Sequence, residues 1–492
     1  MISTESPISD NEHHAVKTEA RILADILQQQ REAYRKAPAP GFEERKASLL
    51  ALKKALLSNK QALIHALDQD FGGRAHNESL LAEFMPSLEG ISYILKRLEK
   101  WMRPSKRHVS LQMQPASAKV VYQPLGVVGV VVPFNYPLFL SIGPLMTALA
   151  AGNRVMIKMS EFTPVTSRLF ADMIAGTFSE HQVTVINGDA DIAAEFTRLP
   201  FDHLLFTGST PVGRHVMRSA ADNLTPVTLE LGGKSPVIID RDFPLSESAE
   251  RICYGKSLNA GQTCIAPDYL LVMNDQKKAF IKAYLSAFRK MYPTVNGNND
   301  YTAVINDRHH KRLLSLVSDA VTKGARVHTP FDDSITDGSR RIPIHLLTNV
   351  SDDMEVMQEE IFGPVLPVIG VDNLDEALAF IQARPRPLAL YYFGSDKATQ
   401  ERVISHTHSG GVCINECLFH VAVDDLPFGG IGPSGMGHYH GHEGFLTFSK
   451  PKAVFSKGKL NSTRIVYPPY KGWLQRKVLD FISGGTVHDK KG

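Results

Sequence analysis

A chain of 492 residues is about three times the length of an ordinary domain, which excludes a small single-module binder and predicts several cooperating substructures. Its 43% hydrophobic and 21% charged residues are ordinary for a globular protein, excluding both wholesale disorder and a multi-span membrane protein. Fifty-four Lys and Arg against fifty-one Asp and Glu leave +3, which supplies no general attraction to nucleic acid, and no nucleic-acid partner is expected.

Residues 1–14 carry Glu5, Asp10 and Glu12 and no apolar run, so no signal peptide is read there. The first hundred residues read as helical, with Leu49, Leu50, Leu56 and Leu57 at helical spacing. Residues 107–123 then alternate, through Val109, Leu111 and Met113 and, past a Pro115-Ala116-Ser117 turn, Val120 and Tyr122; this predicts a projecting hairpin. Residues 120–153 hold no charge and are long enough to cross a bilayer. Pro124, Pro133, Pro137 and Pro144, with Asn135 and Tyr136, argue against a lipid-exposed helix, so we expect buried strand, turn and buried helix, and no transmembrane segment.

Strands are predicted at 127–132 and 155–158 around a helix through 145–151. Thr163-Pro164 then supplies a cap and a first-turn proline for the next helix, followed by strands near 183–186 and 204–206. This alternation implies a parallel sheet covered on both faces. A second α/β unit runs from 226 to about 420, with a strand at 236–239, a helix at 247–258 and an amphipathic helix at 311–323. The tail 473–482 puts Leu474, Val478, Phe481 and Ile482 on one helical face, too short to span a membrane; docking on a partner subunit is favoured over a membrane surface.

The four cysteines, Cys253, Cys264, Cys413 and Cys417, are too few to staple a chain of this length, and such thiols persist reduced in a cytosol; a cytoplasmic protein is expected. Cys264 lies in Asn-Ala-Gly-Gln-Thr-Cys-Ile-Ala-Pro, where small residues and a proline can present sulfur to a pocket; the competing reading is a small buried hydrophobe. Thirty-four residues upstream, Glu230 in Glu-Leu-Gly-Gly-Lys-Ser-Pro stands among apolar residues that can raise its pKa and make it a general base, or it is a solvated or paired carboxylate. Asn135, just past the apolar strand, can donate to a developing oxyanion or simply form a turn. Gly208, Ser209 and Gly213 follow a strand and open a helix where backbone N–H groups can meet a pyrophosphate. The literal G-x-G-x-x-G at Gly430, Gly432 and Gly435 lacks a feeding strand and is rejected as a dinucleotide turn. His438, His440 and His442 read as a solvated loop and Cys413 with Cys417 as core thiols, so no metal is expected.

Taken together, PFNYP at 133–137, KMSE at 158–161, FTGSTPVG at 206–213, LELGGKSP at 229–236, GQTCIAP at 261–267, EEIFGPV at 359–365 and PFGGIGPSGMG at 427–437 resemble, in order, the NAD(P)-dependent aldehyde dehydrogenases. The spacing from Asn415 to His420 to Phe428 and the Tyr467-Pro468-Pro469-Tyr470 tail look like the class 3 branch. Residues 121–129, 201–206 and 264–269 are similar to the bacterial coniferyl aldehyde dehydrogenases. The resemblance implies an α/β fold: a Rossmann-like parallel-sheet NAD-binding domain (16–104 and 125–229), an α/β catalytic domain (230–424) and a small β oligomerisation arm with the tail (105–124 and 438–492). It implies Cys264 as nucleophile, Asn135 and the Cys264 N–H as oxyanion donors, and Glu230 as the base that hydrolyses a thioester. Lys158 and Glu161 would hold the adenosine ribose, Ser209 the phosphate, and Glu360 and Phe362 the nicotinamide ribose.

A carboxylate at Glu161 accepts from a ribose 2′-hydroxyl and repels a 2′-phosphate, so NAD is expected, with NADP as an alternative. Phe134, Tyr136 and Phe428 would wall a slot for an aromatic or medium-chain aldehyde. Phe134 stands where relatives commonly have Trp, and Met159 where they have Pro, which bears on pocket shape and cofactor affinity. The expected enzyme is a homodimer oxidising a hydrophobic, coniferyl-type aldehyde to its acid. The alternatives are a fatty aldehyde dehydrogenase, a CoA-acylating relative, a thiol hydrolase, and a silent NAD-binding protein.

Overall fold

The computed structural model describes residues 10–331, 339–469 and 472–484. It divides into two compact units, residues 1–101 with 124–449 and residues 102–123 with 450–492.

In the larger unit, a six-stranded sheet runs in the order Gly435–Met436, Val227–Glu230, His203–Thr207, Val127–Val131, Arg154–Lys158, Val183–Ile186. The last five are mutually parallel, and Gly435–Met436 is antiparallel at the edge. Residues 127–131 are buried throughout, as a parallel strand covered on both faces requires. Leu23 and Leu27 of the first helix, with Phe196, Phe201 and Leu231, close one face. After Val127–Val131 the chain steps outward through two strands, then returns to place His203–Thr207 on the other side. The order therefore reverses between these two strands, and their carboxyl ends open on one crevice, the arrangement at which open α/β sheets bind ligands.

The uncharged segment is strand, turn and the buried helix Phe139–Ala151, as its prolines predict. Among the described residues no helix is long and apolar enough to cross a membrane. Helix Phe42–Phe71 buries Leu49, Leu52, Leu56, Leu63 and Leu67, whereas Leu50 and Leu57 lie on its outer face. Thr163 stands at the start of helix Pro164–Ala175, but its hydroxyl makes no cap; Asp70 accepts from the N–H groups of Val165 and Thr166 at 3.0 and 2.8 Å instead.

A seven-stranded sheet in the same unit runs Arg326–His328, His345–Thr348, Val365–Val371, Tyr269–Met273, Pro236–Ile239, Ala389–Phe393, Gly411–Ile414, parallel except for the first. Residues 231–235 connect the two sheets, so the end of one runs directly into the other. Residues 438–449, expected with the arm, belong to the larger unit, where Phe445 and His442 pack on Trp101.

The smaller unit contains the three-stranded sheet Ser105–Arg107, Ala116–Pro124, Ser449–Lys457. Its first two strands are antiparallel, Lys106 opposite Lys119, but residues 108–115 do not join the ladder and carry a 3-10 turn at Leu111–Met113. The tail forms helix Trp473–Ser483 with Trp473, Leu474 and Phe481 exposed.

Candidate active site

Helix Leu245–Ser257 ends in a 3-10 turn, Leu258–Gly261, in which Asn259, Ala260 and Gly261 all adopt left-handed backbone, with φ of 52°, 51° and 72°. A Cβ at 261 would stand 2.6 Å from the Gly363 carbonyl oxygen and 2.9 Å from that of Lys256, so only glycine fits. Strain of this kind persists where the surroundings fix it. Here the Asn259 N–H donates to Glu78 at 3.1 Å, and the Gln262 amide donates to the carbonyls of Asn259 and Ala303 at 3.0 and 3.1 Å and accepts from Ile305 N–H at 2.9 Å. Cys264 follows on this braced loop. Burial, then the nearby Glu360 and Glu230 carboxyls, push its thiol well up, while the N–H groups of Cys264 and Ile265 pull it back.

Glu230 ends strand Val227–Glu230 and is 3% exposed, and neither carboxyl oxygen has a hydrogen-bond partner. Burial alone pushes its pKa well above the carboxylate range. A carboxyl raised in this way is, once ionised, a stronger base than an ordinary carboxylate, the property a general base near neutral pH requires. The Tyr439 hydroxyl, also buried and without a partner, titrates under the influence of both Glu230 and Cys264.

Asn135 lies just past strand Val127–Val131. Its side-chain amide donates to the Gln262 carbonyl at 3.0 Å, which places it on the cysteine loop. Its own carbonyl accepts from Arg74 Nη1 at 3.0 Å and from Asn259 Nδ2 at 3.1 Å. Arg74 in turn pairs with Glu83 at 2.9 Å, both side chains fully buried, and Glu83 accepts from the N–H groups of Leu138 and Phe139 at 2.7 and 3.1 Å. The turn carrying Asn135 is thus clamped from both ends. Arg74, Glu78 and Glu83 were not recognised in the sequence, because their partners are tens to hundreds of residues away.

Of the cofactor candidates, Lys158 ends strand Arg154–Lys158 and Gly208 and Ser209 follow strand His203–Thr207. Lys158 is 1% exposed at the end of its strand and donates to the carbonyls of Met159 and Gly188 at 2.7 and 2.8 Å, with Glu161 and Asp189 acting on its charge. Glu161, three residues past the end of the strand at Lys158, is exposed. Ser209 is the N-cap of helix Thr210–Ala221 and its hydroxyl makes no cap to the first N–H groups, and the buried Thr207 hydroxyl beside it has no partner. A Cβ at Gly213 would come within 2.6 Å of Leu231, so glycine lets this helix sit close to the sheet. The Glu360 carboxyl rests against Gly232, where any Cβ would overlap it; burial, then Asp268, push it up to about 8. Lys234 pairs with Asp268 and donates to the Val356 and Glu359 carbonyls at 2.8 and 2.9 Å, and Asp268 accepts from Ile361 N–H at 2.9 Å. That network ties the segments of Glu230, Cys264 and Glu360 together. A buried lysine, an open helix N-terminus, an orphan hydroxyl and carboxyls at both ends suit a dinucleotide.

The three expected pocket rings occupy different surroundings. Phe134 packs with Phe162, His309 and Phe362 at ring distances of 5.8, 5.1 and 5.8 Å. Tyr136 lies over Arg74 and shares a hydrogen bond with Thr263 Oγ1 at 2.7 Å, so it braces the cysteine loop. Phe428 stacks on His440 at 5.1 Å. The histidine run is not a uniformly solvated loop: His438 is exposed, His440 is 8% exposed and His442 lies against Trp101. Cys417 is fully buried and Cys413 half-buried, both free thiols. Among the described residues no group of three or more His, Cys, Asp or Glu is placed to hold a metal.

A parallel-sheet crevice together with a half-buried thiol and a buried, unpaired carboxyl suits a dinucleotide-dependent oxidoreductase of the thiol type. The chain belongs to the aldehyde dehydrogenase family, whose model matches residues 2–454, and it is an NAD(P)-dependent enzyme of that family. It is 59% identical over 456 residues to a probable coniferyl aldehyde dehydrogenase of Pseudomonas aeruginosa, covering 93% of this chain and 95% of that one. It is 42% identical to a coniferyl aldehyde dehydrogenase of Pseudomonas sp. strain HR199, covering 91% and 93%. Among solved structures it superimposes on the substrate-bound state of Staphylococcus aureus AldH with a TM-score of 0.89 at 38% identity, covering 93% of this chain and 99% of that one.

Proposed function

We propose that the chain oxidises a hydrophobic aromatic aldehyde of the coniferyl type to its carboxylic acid, preferring NAD, and works as a cytoplasmic homodimer. The observation that carries the chemistry is Glu230, buried and without a partner, acting on the ionisation of Cys264. The names and identities of the relatives support the substrate.

Cys264 loses its proton to solvent, and its sulfur adds to the aldehyde carbon to form a thiohemiacetal. The Asn135 amide, which has a second N–H beyond the one given to Gln262, and the Cys264 N–H donate to the resulting oxyanion. NAD, when bound, supplies the hydride acceptor that turns this adduct into a thioester. Ionised Glu230 then takes a proton from water, which attacks the thioester carbon; the C–S bond breaks, the acid leaves, and Glu230 returns the proton to the freed Cys264 sulfur. Lys158, Glu161, Gly208, Ser209 and Gly213 would hold the adenosine and phosphate end and Glu360 and Phe362 the nicotinamide ribose. Phe362, packed on Phe134, carries left-handed backbone at φ 52°. The exposed Glu161 carboxylate favours a 2′-hydroxyl and hence NAD.

The NAD-binding and catalytic regions would be 16–104 with 125–229 and 230–424, with the smaller unit as the contact to a second copy. The test is NADH formation with coniferaldehyde, benzaldehyde and a linear series, repeated with NADP. A kcat/KM highest for coniferaldehyde supports the reading; a rise with aliphatic chain length would transfer it to a fatty aldehyde dehydrogenase.

A further inference from the structure

Among the described residues, several buried polar atoms have no hydrogen-bond partner, and six of them bear on this inference. They are both oxygens of Glu230, the Tyr439 hydroxyl, Nε2 of His440, and Nδ1 and Nε2 of His420. The mechanism above uses the first two. The others form a contiguous aromatic wall: Tyr439 and His440 meet at 4.5 Å, His440 stacks on Phe428 at 5.1 Å, and Phe428 meets His420 at 6.0 Å. Phe139 closes the side of His440 at 6.1 Å. Tyr439 is the member on which the Glu230 and Cys264 charges act, so this end of the wall adjoins the reactive pair.

These imidazoles are fixed in place. His420 lies against Gly411, where a Cβ would come within 3.0 Å of its ring, and beside the Tyr391 ring at 6.1 Å; the Tyr391 hydroxyl donates to the carbonyl of Ile265, next to the nucleophile. Burial holds both rings neutral near pH 7, their pKa lowered to about 4. A neutral imidazole offers one N–H donor and one acceptor nitrogen. A chain of methylene groups would leave these atoms buried and unpaired, at a cost, whereas a hydroxyl both donates and accepts.

We propose that His420 and His440 form a subsite that reads the ring hydroxyl of a phenolic aldehyde, holding it between their nitrogens while its ring lies against Phe428 and Phe139. The proposal rests on the aromatic-aldehyde reading of the same pocket and adds a polar determinant to it.

The test compares 4-hydroxycinnamaldehyde with cinnamaldehyde, which differ only in that hydroxyl, using NADH formation by the wild-type full chain and by His420→Phe and His440→Phe, with octanal as a third substrate. Each comparison is a ratio on one protein preparation, so partial loss of folded enzyme cancels. The wild type should favour the hydroxylated aldehyde by about tenfold or more in kcat/KM, as expected when two neutral hydrogen bonds are at stake. Each variant should bring the ratio toward one, chiefly through a higher KM for the hydroxylated substrate. A wild-type ratio near one, or a ratio unchanged in both variants, overturns the subsite while leaving aromatic aldehyde oxidation standing. Efficient turnover of octanal with neither cinnamyl aldehyde accepted overturns both.

Discussion

The Asn135 side-chain amide donates to the Gln262 carbonyl at 3.0 Å, joining the turn after strand Val127–Val131 to the loop that carries Cys264 two residues on. One group both aligns the two loops and keeps an N–H available for the oxyanion. Asn135→Ala should lower kcat by about 100- to 1000-fold, the usual cost of one oxyanion donor, while leaving the Kd for NAD within a few-fold. Stopped-flow NADH formation with separate NAD titration checks this, and an unchanged kcat would remove Asn135 from the chemistry.

Glu230 gives a stability signature as well as a kinetic one. Its folded pKa lies above the ordinary carboxylate value, so the stability that its protonated form contributes is complete below that value and is lost as pH rises toward the folded pKa. Glu230→Gln has no such loss. Its unfolding midpoint should gain on the wild type between pH 5 and 8, with a slope of up to about 1.4 kcal/mol per pH unit, the linkage value for one proton. Glu78 and Glu360, pushed up to about 7 and about 8, are present in both proteins and cancel. A constant difference across that range would mean that Glu230 is ionised in the folded state. In turnover, the same variant should accumulate the thioester, because hydrolysis and not hydride transfer needs the base.

The clamp on Asn135 depends on a buried pair. Glu83→Gln leaves the Arg74 guanidinium without its counter-charge at a site with no exposed surface, and should destabilise the protein by about 3–5 kcal/mol, read as a drop in the urea midpoint at constant m. A loss below about 1 kcal/mol would show that the pair is not what holds the turn.

Much of this architecture is written locally in the chain. Five consecutive apolar residues at 127–131 specify a strand covered on both sides, and the prolines and Asn135 that follow specify the turn before the buried helix Phe139–Ala151. The strand followed by Thr207, Gly208 and Ser209 specifies an open helix N-terminus in the same way. What escaped is long-range. Arg74 and Glu83 read as ordinary charges on a helical stretch until the fold brings Asn135, Leu138 and Phe139 to them. Asp70 displaces the Thr163 hydroxyl as the cap of Pro164–Ala175 for the same reason. His438, His440 and His442 have one residue type and one spacing, and only the packing of Phe428 and Trp101 sends the second inward, sets the third against a ring and leaves the first in solvent. The alternation over 107–123 was real in 116–123, but 108–115 turn back on a 3-10 step that the pattern does not encode.

The most direct test of the account is Cys264→Ala assayed for aldehyde oxidation and, by fluorescence titration, for NAD binding. If the thiol forms the covalent adduct and the helix N-terminus at Ser209 holds the cofactor, as proposed, there should be no detectable acid or NADH while NAD affinity is retained. Acid production by the variant at the wild-type rate would contradict it.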